Sequence, residues 1–477
     1  MQTTETRGDH GLAVAVIGGG ASGTLAVVHL LRRAAAEQVP LRVVLLDRLG
    51  RHGLGQAYST SHPDHLLNSP ASRMSAVPDD PGHLVRWARA AGVEHDGFLP
   101  RWAYGRYLRD LLADAQDRAR QLARVSQLTS DVVSIAAAGP RRPLRLRLAT
   151  GGGIDADIAI LATGSPRRSP AFPVPPGPQY VADPWAPGAL EHIGHGRPVV
   201  VMGTGLTMVD VALAITRSSP GTVVHAVSRH GLLPRVHVAA APAAEMNVLS
   251  PISSPPPDSG LAPLLRYVRK YIEQYPGCWQ DAVDALRPQV PLLWQRLTPA
   301  DQRLFLRYVA RYWEVHRHRM PPATAAKIAE LRAAGRLRLI RGRVSAAAPE
   351  GYGVRVSIEQ GSIEQGSAGF DLSAGWLVDA TGPAADVTAT PDPLVRSLLS
   401  SGLARPGPHR LGIDADASGA ILDVFGRPSA EIRTLGPPLR GVCYETTAIP
   451  EIRDQAAALA GRLIAAARSR ATAGHAA

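Results

Sequence analysis

Lysine is almost absent from this 477-residue chain. Lys270 and Lys327 are the only two, and the other 50 of the 52 basic residues are arginine. Against 40 acidic residues they leave a net charge of +12. A surplus of that size favours anionic partners. Yet no aromatic–basic interleaving and no known nucleic-acid module accompanies it, so the reading is of no nucleic-acid partner. The arginine and alanine richness is read as genomic base composition. Cysteine is scarce as well. Cys278 and Cys443 stand alone without a CxxC, which excludes a disulfide framework and points to a reducing cytoplasm. No apolar run approaches the ~20 residues of a membrane span, so no membrane partner is expected. The opening "MQTTETRGDH" is polar and does not form a signal peptide. The histidines lack metal-ligand spacing: His316 and His318 flank the cation Arg317, and no metal is expected.

What the chain does have is glycine in two meaningful places. Leu12–Ile17 is an apolar strand, and Gly18, Gly20 and Gly23 follow it as GxGxxG. The first glycine permits a tight turn. The second lets a pyrophosphate approach the backbone, and the third lets helix and strand pack closely. The helix Ala21–Arg33 then points its unpaired N–H groups at the phosphates. A second strand, "LRVVLLD", closes on Asp47, whose carboxylate suits two ribose hydroxyls. A lone GxGxxG means little, but a complete strand–turn–helix–strand–acid unit means a dinucleotide site. This unit alone leaves NAD and FAD both open.

The motif returns at Val199–Met202, Gly203 and Gly205, with Met208 in the third glycine's place. That substitution predicts a helix set slightly further from its strand. The next strand, "TVVHAVS", closes on Ser228 followed by Arg229. A carboxylate would repel a 2′-phosphate, whereas a hydroxyl and a guanidinium would bind one. The first unit therefore fits an unphosphorylated adenosine and the second fits NADPH. Two turns with opposite endings suit FAD and NADPH together, with hydride passing from nicotinamide to flavin. His230 and Arg235 stand nearby, either to assist or to face solvent.

Two further strands end in Ala162-Thr163-Gly164 and Ala380-Thr381-Gly382, where small residues permit close passage beside a cofactor. A proline-rich linker follows the first, and "PISSPPPDSG" (Pro251–Gly260) marks another break. After it the periodicity turns helical. Phe305, Tyr308, Val309, Tyr312 and Trp313 form a stripe expected in a core, and Arg303, Arg307 and Arg311 mark a face expected in solvent. The duplication "SIEQGSIEQG" (Ser357–Gly366) predicts a lengthened hairpin loop. The fold class is α/β, with two Rossmann-like dinucleotide-binding domains and a helical insertion. The expected boundaries are 11–165 with 340–470 for a discontinuous FAD domain, 190–250 for the NADPH domain, and 251–339 for the helical insertion. A C-terminal helix is expected just after Pro450, with Thr447 and its neighbours in Thr446–Ile449 aiming amides at a flavin pyrimidine oxygen.

Together "GLGQAY…HLLNSPASRMS", "FLPRWAYGRYL", "GTGLTMVD", "SRHGLLPR", "WEVHRHRM" and "GVCYETTAIPEIRDQA" resemble the FAD/NAD(P)-binding proteins that include flavin-dependent N-hydroxylases of amino acids, such as the nitrosuccinate-forming aspartate N-hydroxylases. More widely the chain resembles class B monooxygenases, including ornithine and lysine N-hydroxylases. The resemblance implies an NADPH-dependent monooxygenase working through a flavin C4a-hydroperoxide on a small amine or amino acid with O2. It implies that Gly18, Gly20, Ser22, Gly23 and Asp47 bind FAD, with Gln56, Leu67 and Asn68 near the isoalloxazine and Arg101 and Tyr104 beginning a flanking helix. Gly203, Gly205, Thr207, Ser228 and Arg229 would hold NADPH. Thr163, Gly164, Thr381 and Gly382 would pass beside the cofactors. The side-chain amide of Asn68 is the candidate catalytic group. Arg317, His318 and Arg319 are candidates for a substrate carboxylate, because arginine binds carboxylates bidentately. A flavoprotein reductase serving a partner, or a non-catalytic nucleotide-binding protein, would carry the same two units.

Overall fold

Short apolar runs bounded by glycine build buried parallel strands when helices cover both faces of the sheet. The computed structural model describes residues 11–137, 143–165, 172–194, 196–238, 260–275, 278–360, 368–382 and 386–475, and it contains two such sheets. In the first, Leu12–Ile17 lies between Leu41–Asp47 and Ile158–Leu161. Ala123–Thr129 extends one side and Pro428–Thr434 the other, all parallel, with Ala420–Leu422 as an antiparallel edge. In the second, Val199–Met202 lies between Val224–Ser228 and Trp376–Asp379. Leu337–Arg341 and Tyr180–Val181 form its edges, again all parallel.

The two sheets repeat one plan. Each runs strand, glycine turn, helix, strand and a further edge strand, then a three-stranded antiparallel meander, then a return strand beside the first. The meander is formed by Val132–Ala137, Leu144–Leu148 and Gly153–Ala156 in the first unit, and by Arg343–Glu350, Gly353–Gln360 and Ala368–Ala374 in the second. The strands within 340–379 thus belong to the second unit, against the expected boundary that joins 340–470 to the FAD domain. Parallel pairing across more than a hundred residues leaves no local trace in the sequence. Of the duplication, Ser357–Gln360 lies in a meander strand and the remainder falls outside the described residues. Most of Pro251–Gly260 also lies outside them.

Helices Leu261–Gln274 to Pro322–Ala333 form the insertion inside the second unit. Its expected stripe divides. Phe305, Val309 and Trp313 pack against the core that holds Trp294 and Tyr444, but Tyr308 is 57% and Tyr312 51% exposed. Phe305–Val309 winds as a wide π turn, which breaks the 3.6-residue register on which the stripe was read. The C-terminal helix starts at Ile449, so Pro450 occupies its first turn, where a missing N–H is tolerated. Ile452, Ala456, Leu459 and Leu463 pack in one core with Leu25, Val28 and Leu31 of the first glycine-turn helix, returning the chain to the first unit. Among the described residues no helix is long and apolar enough to cross a membrane.

Candidate functional site

Both glycine turns are built the same way at the carboxyl ends of their strands. Gly18 (φ 109°) donates its N–H to Leu46 O at 2.8 Å, and Gly203 (φ 107°) donates to Val227 O at 2.8 Å. A Cβ on Gly18 would lie 2.2 Å from Ala162 O, and one on Gly203 2.5 Å from Ala380 O. The two Ala-Thr-Gly passages are therefore what close over the turns. No residue but glycine fits beneath them, by volume or by φ. Gly23 serves the helix contact, since its Cβ would meet Gly18 O at 1.9 Å. In the second unit Met208 takes that place and is fully buried.

The helices that follow begin alike. Ala21–Glu37 is preceded by Gly20 and Leu206–Ser218 by Gly205, both extended, with no side-chain cap and no acid in the first turn. Uncapped N–H groups and the positive end of the dipole are thus left for an anion at each site.

The units differ at the end of the next strand. Asp47 Oδ2 accepts from Gly19 N–H at 3.1 Å, and Oδ1 accepts from Leu49 and Arg51 N–H, each at 2.9 Å. Ser228 holds the equivalent place. Its hydroxyl shares a 2.8 Å hydrogen bond with Thr204 Oγ1 and accepts from Gly231 N–H at 3.1 Å. The turns match beyond this point as well: Gly50 N–H bonds Asp47 O at 3.3 Å, and Gly231 N–H bonds Ser228 O at 3.2 Å. Arg229 follows, exposed. Arg311, expected in solvent from its helical spacing, folds in from the helical insertion. It donates to Leu232 O at 2.8 Å and Thr204 Oγ1 at 3.2 Å. Burial, and then the charges of Arg229, Arg311 and Arg341, hold His230 below its usual pKa. The second turn is thus ringed by cations where the first is closed by a carboxylate. Only the side-chain contact across the fold reveals Arg311; its helical spacing gave no signal.

A cavity of about 510 Å³ runs along the first turn. Gly18, Gly20, Ser22, Asp47, Gln56, Thr163, Gly164 and Thr447 line it, with Tyr58, Asp183, Val387 and Ile449. Other expected residues stand elsewhere. Leu67 is core, its N–H bonded to Leu99 O at 2.8 Å. Asn68 accepts from His237 through its backbone oxygen at 3.0 Å and is not on the cavity wall. Arg101 lies off the wall as well. It pairs with the buried Asp210 of the second glycine-turn helix at 2.7 Å and sits over Trp185 at 5.4 Å. Burial raises Asp210 to about 6 against the pull of Arg101. His65 bonds Asp210 O at 3.0 Å, and Asp64 takes Lys327 at 2.6 Å and Arg217 at 3.1 Å. These contacts tie the two units together. Thr446 is buried and bonds Gly436 O, which leaves Thr447 and Ile449 as the cavity residues of that segment.

Thr207 opens the helix after Gly205, while Thr381 is tied to Asp379 Oδ1 through N–H and hydroxyl, with Gly382 beside it. Arg317 and Arg319 are 4% and 2% exposed. Arg317 Nε stands 3.4 Å from Glu445, and Arg319 pairs with Asp284. Even so, Nε and Nη2 of Arg317 and Nε and Nη1 of Arg319 are buried without a hydrogen-bond partner. Burial, and then Arg317, push His318 down to about 3, so it is a neutral ring.

Residues 15–166 match the family model described as FAD-NAD(P)-binding. A comparison with curated proteins finds no match. Among solved structures the fold is similar to the ornithine N-hydroxylase of Kutzneria sp. 744 (17% identity, 97% of this chain and 100% of that one, TM-score 0.60). It is similar to the ornithine hydroxylase of Pseudomonas aeruginosa (15%, 96% and 99%, TM-score 0.58). It is similar also to the L-lysine 6-monooxygenase of Pseudomonas syringae (16%, 96% and 99%, TM-score 0.60). At these identities the likeness is one of fold, and it extends over both units.

Proposed function

We propose that this chain is an FAD- and NADPH-dependent monooxygenase that hydroxylates the nitrogen of a small amine or amino acid with O2, in the cytoplasm. The observation that carries the reading is the pair of equivalent positions, Asp47 in one unit and Ser228-Arg229 in the other. One fold feature repeated with opposite charge selects two different adenosines. The ornithine and lysine N-hydroxylases of the same fold support the reaction class.

In this reading Gly18, Gly20 and Ser22 bring helix amides to the FAD pyrophosphate, and Asp47 accepts from its ribose. Gln56, Thr163, Gly164 and Thr447 border the ring end of the cavity. Gly203, Gly205 and Thr207 hold the NADPH pyrophosphate, Ser228 and Arg229 the 2′-phosphate, and Thr381 and Gly382 flank the nicotinamide side. The flavin, when bound, supplies hydride acceptance and oxygen transfer. The chain supplies orientation and a cavity whose wall includes the apolar Ile17, Leu46, Ile413 and Ile449. The unpartnered edges of Arg317 and Arg319 suit a substrate carboxylate. His318, being neutral, adds no charge there.

The test is NADPH oxidation by the yellow protein across a panel of amines and amino acids, under isotopically labelled oxygen. The expected outcome is label in an N-hydroxylated product with one substrate class. Fast NADPH oxidation that reduces an artificial acceptor, with no label in any product, would make the chain a reductase.

A further inference from the structure

Helix Arg101–Ala119 carries Tyr104, Tyr107 and Asp110 three residues apart, and helix His83–Ala90 carries His83 and Trp87 four apart. These spacings put each set on one helix face. The faces meet, and the aromatic rings form a file. Tyr58, on the cavity wall, lies 4.8 Å from Tyr104, centroid to centroid. Tyr104 lies 5.4 Å from Tyr107, and Tyr107 lies 5.4 Å from Trp87. Tyr104 and Tyr107 are wholly buried, whereas Trp87 is half-buried and its partner Asp110 exposed.

Packing alone does not call for this composition. Each buried hydroxyl costs desolvation that phenylalanine would avoid. Here the polar atoms have partners placed for proton movement. Tyr107 OH accepts from Ala76 N–H at 3.1 Å and shares a 2.9 Å hydrogen bond with His83 Nδ1, which accepts the phenol proton in the ring tautomer protonated at Nε2. Trp87 Nε1–H donates to Asp110 Oδ2 at 3.0 Å. An oxidised phenol or indole sheds its proton, and both positions have a base within hydrogen-bond reach. Tyr104 OH donates to Met74 O at 3.0 Å, a carbonyl that takes no proton, which suits a transit position.

We propose that Tyr58, Tyr104, Tyr107 and Trp87 form a one-electron relay that carries an oxidising equivalent out of the cofactor cavity to the protein surface. This rests on the reading that the cavity holds FAD. In the balanced step Trp87 loses one electron through Tyr107, Tyr104 and Tyr58 to a one-electron oxidant in the cavity, of which the photo-excited oxidised flavin is the defined example. The indole N–H bond breaks and its proton passes to the Asp110 carboxylate. The flavin gains the electron. A solvent thiol then returns an electron and a proton to Trp87 and departs as a thiyl radical, while Asp110 releases its proton to solvent. The relay would spare the cavity when oxygen chemistry misfires without substrate.

The experiment is transient absorption of the FAD-loaded protein after a blue flash, without NADPH or substrate. The wild type is expected to give the neutral tryptophanyl radical. Trp87→Phe should abolish it, and Tyr107→Phe should lower its yield at least tenfold, both at unchanged FAD occupancy. Trp87→Phe changes a half-buried position and loses only the Asp110 bond, so it keeps the test decisive if Tyr107→Phe folds poorly. A yellow wild type without that radical, or a radical that survives Trp87→Phe, overturns the relay alone. A protein that stays colourless with FAD overturns the relay and the flavin reading together.

Discussion

Converting the end of the second unit into the end of the first should shift coenzyme choice. The perturbation is Ser228→Asp with Arg229→Ala. Arg229 is exposed, so its charge-assisted contact is taken at the low end, about 1.5 kcal/mol. An aspartate at position 228 has within reach the Gly231 N–H and the Thr204 hydroxyl, which the Ser228 hydroxyl bonds at 3.1 and 2.8 Å. At about 4 Å from a phosphate charge in high dielectric, its repulsion is about 1 kcal/mol. Together these give about 2.5 kcal/mol, or roughly a 50- to 100-fold fall in the NADPH to NADH ratio of kcat/KM. The loss should fall on KM for NADPH, and NADH should be nearly spared. Calorimetric binding of 2′,5′-ADP against 5′-AMP reads the same difference without turnover. Equal losses for both coenzymes would refute the phosphate assignment. Arg311→Met should then weaken 2′,5′-ADP further, because Arg311 both adds charge and braces Thr204.

Two other outcomes are expected. Arg101→Met should lower stability by roughly 3–5 kcal/mol, since it leaves Asp210 buried without its ion partner, and adding Asp210→Asn should restore most of the loss in denaturant unfolding. Acid should unfold the protein through its buried histidines. Burial holds His29, His65 and His237 at about 4 and His318 at about 3, below the ordinary 6.5. The unfolded chain therefore binds more protons below pH 6.5, so Tm should fall from pH 6.5 towards 4, and each histidine contributes up to ~3 kcal/mol. A flat Tm over that interval would contradict their burial.

The reach of the sequence follows how local each feature is. Strand, turn and helix are adjacent in the chain, so Gly18, Gly20, Gly23 and Gly203 announced themselves by spacing. The contrast between Asp47 and Ser228 was legible for the same reason. Two strands of the second sheet were not, because Leu337–Arg341 and Trp376–Asp379 find their partners far along the chain. Arg101 had a local reading beside a cofactor, but the buried carboxylate of Asp210 claims it from the other unit. The helical stripe was read with one period, and the wide turn at Phe305–Val309 changed that period in the middle. Arg311 went to the solvent face because nothing within its own helix signals Thr204 and Leu232.

The covalent route between the units has a mechanical consequence. The chain leaves the first unit after Gly164 and re-enters it near Val387, and both places border one cavity. Two strands anchored at a single wall resist stretching but offer little leverage against rotation. The angle between the units is therefore held by side chains away from that wall, among them Asp64 with Lys327 and Arg217, Asp210 with Arg101, and Glu451 with Arg287. Salt, which screens the exposed pairs more than that of the buried Asp210, becomes a means of loosening that pivot by degrees.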